Sequence, residues 1–216
     1  MNKIINEIKQ ICPQENYEIG YASLSGLLKP EYAKYKYGIS LARKLDDQII
    51  DQISNGPTDL YYDLYCNINN ELNLKTELIS NLLKTYHIEA YPIKATVEDG
   101  ELEDIYKKTL RYPFSHKLVA TRSGIGWIGK TDLLVTSRFG PRVRLASILM
   151  TANISDSGVP IDESQCGIVI FVLIIVLLKL PLDNYGQLQL IEMYFLILLN
   201  AENIAEKYQQ KESKRK

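Results

Sequence analysis

A glycine-rich passage at 114–151, FSHKLVATRSGIGWIGKTDLLVTSRFGPRVRLASILMT, constrains this chain more than any other stretch. It contains four glycines and the only tryptophan of the sequence. Three glycines within six residues allow the backbone to adopt positive φ or to approach a neighbour closely. Two interpretations stay open: a tight turn with Trp127 filling the core, or a loop against a flat cofactor, with N–H donors and Lys130 facing a phosphate or carboxylate.

Residues 124–131 also satisfy the P-loop pattern G-x-x-x-x-G-K-[ST]. A true P-loop follows a buried strand and opens a helix, so that backbone N–H groups meet phosphate. Here the segment 115–122 predicts a helix that begins at Ser115 and ends at Gly124. The segments 133–136 and 143–150 predict strands joined by a turn at 139–141. Because this order is reversed, a nucleotide-binding P-loop is the less favoured alternative.

The rest of the first 160 residues alternates between helical and strand patterns. Helices are predicted at 2–11, 46–54, 58–86 and 102–109, and strands at 17–24, 35–45 and 88–95. This alternation predicts an α/β (α+β) domain at 1–160, with a mixed sheet and flanking helices.

The long helix at 58–86 is predicted to be scaffold, with Thr58 as its cap. Its apolar face consists of Leu60, Leu64, Ile68, Leu72, Ile79, Leu82, Leu83 and Tyr86. Cys66 on this helix is predicted to be a small buried residue.

Composition excludes some classes of function. A formal net charge of −1 provides no basic surface of the kind that nucleic-acid binding usually needs. Three cysteines, at positions 12, 66 and 166, do not form a disulfide framework. The first 18 residues lack the pattern of a signal peptide, so a reducing, cytoplasmic location without membrane association is expected.

The run HKLVATRSGIGWIGKTDLLVTSRFGPRVRLASIL closely resembles the core of the epoxyqueuosine reductase family. It is most similar to the short relatives that carry a double 4Fe–4S cluster module and lack tRNA-binding repeats. Weaker similarity at 20–26, 37–40 and 56–58 extends the resemblance over about 17–167. The resemblance implies an oxidoreductase that passes electrons from 4Fe–4S clusters to a cofactor, with cobalamin as the candidate, and that uses a redox partner.

The same resemblance implies a set of site residues. The cofactor contacts would come from His116, Lys117, Gly124, Gly126, Trp127, Gly129 and Lys130, and Cys166 would be a cluster ligand. From the residues alone, His116 at a helix start also fits a surface or capping role. The reductases carry an acidic proton donor upstream of the glycines, whereas 109–113 contains no carboxylate. Reduction of a tRNA base, and tRNA binding, are therefore doubtful, and the catalytic residues are unknown.

From Gly167 onwards the composition changes abruptly. Residues 168–178, IVIFVLIIVLL, are apolar and contain no cysteine where the family leads us to expect cluster ligands. The run is shorter than the roughly 20 residues of a membrane span. Read one base earlier, the Ile-Val and Phe-Val pairs at 168–169, 171–172 and 175–176 can each encode cysteine. With Cys166 they restore C-x₂-C-x₂-C-x₃-C followed by proline, the bacterial ferredoxin pattern.

A frameshift near Gly167 is therefore predicted, with 161–216 as the out-of-frame, poorly ordered remnant of a ferredoxin-like 4Fe–4S module. As written, the chain would be inactive, although an oxidoreductase in ancestry. The alternatives are a non-catalytic cofactor-binding domain, the P-loop protein considered above, and a genuine hydrophobic segment that contacts a membrane or a partner.

Overall fold

The computed structural model describes residues 2–53, 56–96 and 114–167. Its helices are α1 (Asn2–Ile11), α2 (Asp47–Ile50), α3 (Asp59–Thr85) and α4 (His116–Arg122), with a 3₁₀ turn at Pro30–Tyr32. Its strands are β1 (Tyr17–Ser23), β2 (Tyr37–Lys44), β3 (Ala90–Ile93), β4 (Gly126–Ile128), β5 (Leu134–Thr136) and β6 (Val143–Met150). The predicted helix at 102–109 and the segment 168–216 lie outside the described residues.

Four strands form the main sheet in the order β1-β2-β6-β3, and β4 and β5 form a separate hairpin. The predicted combination of a sheet with flanking helices is confirmed as an α+β fold. Every neighbouring strand pair in the described residues is antiparallel, whereas a mixed sheet was expected. The crossover through α3 does connect two strands of the same direction, β2 and β3. They are not paired, because β6 lies between them and is antiparallel to both.

Helix α3 covers one face of the sheet. Thr58 caps it, with its hydroxyl oxygen accepting a hydrogen bond from the Tyr61 N–H at 3.2 Å. Its buried apolar side chains share one core cluster with residues of β2 and β6: Ile68, Leu72, Ile79 and Leu83 against Ile39, Leu41 and Ile148. Leu60 is 56% exposed, contrary to the prediction, because the buried part of the helix begins only at Ile68. For the same reason Cys66, predicted to be buried, is only partly buried.

Helix α4 and the β4–β5 hairpin lie against the opposite face. Val119 packs with Leu24 and Leu149, and Ala120 packs with Ala42, Ile125 and Leu134. Successive residues of a strand point to opposite faces, so Ile148 meets α3 while Leu149 meets α4. The glycine-rich passage is thereby fixed on the sheet face that α4 covers.

No helix within 2–53, 56–96 or 114–167 combines the length and the apolar character that a membrane crossing requires.

Candidate functional site

His116 opens helix α4 and is held by both ring nitrogens. Ser115 is the helix cap, its hydroxyl oxygen accepting from the Leu118 N–H. The His116 Nε2 lies 2.9 Å from the carbonyl oxygen of Lys94, and Nδ1 lies 3.0 Å from the Ser147 hydroxyl. A carbonyl can only accept, so Nε2 carries the hydrogen and Nδ1 accepts from Ser147.

The electrostatic surroundings keep this ring neutral. Burial and, to a smaller extent, the charge of Arg144 lower the pKa of His116, whereas the hydrogen bond to the Lys94 carbonyl raises it. The net result is a pKa of about 4. Near neutral pH His116 is therefore an uncharged, oriented imidazole and neither a surface charge nor the helix cap.

A cavity of about 1280 Å³ is lined by residues of α3, β3, α4, the β4–β5 hairpin and β6. Ligand pockets commonly measure roughly 300–1,000 Å³, so this space is large enough for a sizeable cofactor. Its walls combine aromatic rings with cationic or polar groups: Tyr32, Tyr65, Tyr91, Phe114, His116, Lys117 and Arg144. The rings of Phe114 and His116 meet edge to face, with centroids 5.6 Å apart.

Lys117 ties helix α4 to the β4–β5 hairpin at the edge of this cavity. Its Nζ donates to the backbone carbonyl of Asp132 and lies 3.0 Å from the Asp132 carboxylate. Asp132 adopts positive φ (60°) in the turn, where the Gly129 N–H also donates to the Leu133 carbonyl at 2.8 Å. Part of the Lys117 charge is therefore neutralised within the protein.

Two glycines of the passage are required by close backbone packing. A Cβ on Gly124, whose φ is +74°, would lie 2.5 Å from the carbonyl oxygen of Val159. A Cβ on Gly126 would lie 2.3 Å from the carbonyl oxygen of Val135. Helix α4 precedes these glycines and β5 follows them, which confirms the predicted order and is the reverse of a P-loop.

The remaining predicted residues gather around Cys166. The Trp127 indole Nε1 donates to the Cys166 Sγ at 3.4 Å, so this half-buried ring is not a core plug. A Cβ on Gly129 would lie 3.6 Å from the same sulfur. The Lys130 ammonium donates to the Gly167 carbonyl at 2.8 Å. The predicted set therefore divides into two groups, with His116 and Lys117 at the cavity and Trp127, Gly129 and Lys130 at Cys166.

The cysteines do not form a set of cluster ligands. Cys12 is sealed in the core, where burial raises its pKa to about 12, and Cys66 lies on α3. Within the described ranges, no three His, Cys, Asp or Glu side chains are grouped to hold a metal ion. A 4Fe–4S cluster usually requires four thiolates, and the whole chain has three cysteines. The residues present therefore do not fit such a cluster.

Cys166 should be the most reactive thiol of the chain. Hydrogen bonds from Ser164, Trp127 and the Lys130 N–H lower its pKa, and the charge of Lys130 adds to this effect. The thiolate is the nucleophile, and its fraction rises as pH increases through the pKa. In alkylation with iodoacetamide, mapped by mass spectrometry, Cys166 should react first and Cys12 last. Labelling of Cys12 at the rate of Cys166 would contradict this assignment.

Sequence reasoning missed Tyr65 and Arg144, which line the cavity, and Ser147, which hydrogen-bonds to His116. Arg144 carried a usable signal, since it is the one charged residue of the mostly apolar strand VRLASILM. Tyr65 and Ser147 carried none, because tyrosine and serine are common on helices and strands.

The comparisons with known proteins point to one family. No protein-family model matches the chain. An epoxyqueuosine reductase of Listeria monocytogenes is 38% identical over 71 residues, which are 32% of this chain and 16% of that protein. The chain thus covers a small part of the curated relative that it matches.

Solved structures of epoxyqueuosine reductases are also similar. One, in complex with an epoxyqueuosine-modified tRNA-Tyr stem loop, has a TM-score of 0.49 at 21% identity, over 80% of this chain and 50% of that one. The Bacillus subtilis enzyme, with its aspartate-bearing catalytic loop swung out of the active site, has a TM-score of 0.47 at 20% identity, again over 80% and 50%. The chain spans about half the length of these structures.

Over these 71 residues the chain is similar to an epoxyqueuosine reductase, an oxidoreductase by its name. The resemblance to epoxyqueuosine reductases that the sequence predicted is thereby confirmed.

Proposed function

We propose that this chain is the cofactor-binding domain of an epoxyqueuosine reductase-like oxidoreductase, and that the cavity beside His116 holds the cofactor. The observation that carries the proposal is the 38% identity to an epoxyqueuosine reductase over 71 residues. The cavity supports it, because aromatic faces and cationic groups on one concave surface suit a large organic ligand with acidic or amide substituents.

Cobalamin is the candidate cofactor, and it comes from the family resemblance. The volume of about 1280 Å³ fits a macrocycle of this size. Tyr91 and Phe114 offer ring faces, and Arg144 offers a guanidinium for polar substituents. His116 would orient the ligand and would not coordinate cobalt, because both its nitrogens are already hydrogen-bonded. Bound cobalamin would supply a redox-active metal centre.

We further propose that the chain as written lacks its own electron supply because of a frameshift near Gly167. The donor set does not fit a 4Fe–4S cluster, so electrons would have to come from a separate redox partner. Without one, the chain would bind its cofactor and not turn over. This proposal involves neither a tRNA substrate nor a P-loop nucleotide.

Binding of hydroxocobalamin tests the proposal directly. A ligand that binds the folded state raises the melting temperature, and quenching of Trp127, the only tryptophan, provides a second signal. Replacing Arg144 with Met should weaken binding at least about tenfold, since a hydrogen bond to a charged group contributes roughly 1.5–3 kcal/mol.

Arg138→Met is the matched control for this experiment. Arg138 is exposed and lies over the Phe139 ring at 5.0 Å, outside the residues that line the cavity, so its loss should leave binding unchanged. No change in melting temperature at saturating hydroxocobalamin would overturn the cobalamin assignment. Binding of ATP and Mg²⁺ that depends on Lys130 would instead favour the P-loop interpretation.

A further inference from the structure

Tyr65 lies on α3 and contributes its partly buried ring to the wall of the cavity. Its phenolic oxygen is 3.2 Å from the hydroxyl oxygen of Thr96, just beyond β3. Tyr65 therefore joins two elements around the same space that His116 faces from α4.

Arg144 of β6 is fixed against this tyrosine. Its guanidinium carbon lies 4.3 Å from the centroid of the Tyr65 ring, and its Nε donates to the Asn69 Oδ1 at 3.0 Å. Within the described residues Arg144 makes no ion pair with a carboxylate. Its charge is therefore balanced there by an aromatic face and by an amide, both of which are uncharged.

Asn69 provides a second donor beside the phenol. This side chain is only 3% exposed, and its Nδ2 makes no hydrogen bond of standard geometry in the described part of the chain. A buried donor without an acceptor is unfavourable, because it has lost its hydrogen bond to water and gained none in return. A negatively charged oxygen on Tyr65 would provide an acceptor for the Asn69 amide and a counter-charge for Arg144.

The balance of these effects favours ionisation of the phenol. Burial raises the pKa of Tyr65, whereas the Thr96 hydrogen bond, the charge of Arg144, and the neighbouring donor groups of Asn69 and Arg144 lower it. The net pKa is below the ordinary value. Among the described residues that line the cavity, the other charged groups are Lys94, Lys117, Glu77 and Asp132, and His116 is neutral. Paired titratable groups with pKa values shifted by their surroundings are typical of acid–base sites.

We propose that Tyr65 is the proton-exchanging side chain of the cavity. In this step the Tyr65 O–H bond breaks, the proton moves to a basic atom of a bound ligand, and the phenolate is stabilised by Arg144, Asn69 and Thr96. Water returns the proton when the ligand leaves. The proposal rests on the proposed function in one respect, because it takes the cavity to be a place where a ligand is reduced and needs a proton. It assigns that proton to a residue of α3.

Nuclear magnetic resonance of the full chain, with tyrosine isotope-labelled at Cζ, tests this role without any ligand. Among the fifteen tyrosines, one resonance should titrate at lower pH than the others and should be missing from Tyr65→Phe. In Arg144→Met the same resonance should titrate at higher pH. Tyr62→Phe is the matched control, since Tyr62 is on the same helix and 64% exposed, and it should leave the early titration in place.

A Tyr65 resonance that titrates together with or above the other tyrosines would overturn the proposal. If Tyr65→Phe does not fold, as judged by circular dichroism, the Arg144→Met variant decides the question. The absence of a shift in the early titration of that variant would also overturn the proposal. The two proposals fail separately: the titration is read on the ligand-free chain, whereas cofactor binding is read by hydroxocobalamin. If Tyr65 titrates at lower pH than the other tyrosines but hydroxocobalamin does not bind, the acidic Tyr65 is supported and cobalamin is rejected as the ligand.

Discussion

Replacing Leu72 with Ala should lower the free energy of unfolding by about 2–5 kcal/mol, the usual cost of removing a large buried side chain from a core. Leu72 is fully buried on α3, in the cluster that also contains Ile39 and Ile148 of the sheet. Its loss removes apolar contacts and leaves a space that the sheet cannot close, because the strands on that face are held in register by backbone hydrogen bonds. Urea denaturation followed by circular dichroism measures the effect.

Leu74→Ala provides the comparison on the same helix with the same chemical change. Leu74 is 62% exposed, and surface substitutions usually change stability by no more than about 0.5 kcal/mol. Equal losses for the two variants would contradict the assignment of the α3 face that meets the sheet.

Restoring the shifted reading frame after Gly167 should convert a colourless protein into one that binds iron and sulfide. The chain as written has no cysteine beyond Cys166, whereas the shifted frame can encode C-x₂-C-x₂-C-x₃-C. After anaerobic reconstitution, iron and sulfide analysis should show stoichiometric binding only in the restored chain, with the broad brown absorbance of such clusters.

Cys166→Ser in the restored chain should lower its iron and sulfide content, because this cysteine begins the ligand pattern. The opposite result is equally informative. If the chain as written binds stoichiometric iron and sulfide and loses both on replacement of Cys166 with Ser, the frameshift argument is wrong. A truncated version for comparison should end after Gly167, because Asp162 pairs with Arg122 and Cys166 contacts Trp127.

Helices α3 and α4 could be predicted from the sequence because their signals are local. Thr58 and Ser115 are cap residues at the observed starts. The apolar repeat on α3 predicted the buried positions from Ile68 onwards, and Gly124 marks the point where the chain leaves α4 with positive φ. Each of these signals depends on a few neighbouring residues, so it can be recognised without knowing which distant segments the helix contacts.

Strand pairing could not be predicted in this way, since it depends on which distant segments meet. The chain crosses through α3 as in a parallel unit, but β6 lies between β2 and β3 and is antiparallel to both. The candidate site could not be predicted for the same reason, because its side chains come from distant segments. The surroundings of Tyr65 come from Asn69, Thr96 and Arg144 on different elements. His116 was singled out by its place beside the glycines, whereas its neutral state follows from burial and from Arg144.

The position of β6 between β2 and β3 also determines when the domain can fold during synthesis. Tyr37 pairs with Met150, so the central strand emerges from the ribosome long after its neighbour, and the sheet remains in two separate parts until then. Such pairing between distant segments folds slowly. A change of reading frame before Val143 would remove the strand that joins these parts, and the chain could not complete its sheet. A change near Gly167 falls after every described strand and spares the assembly of the domain.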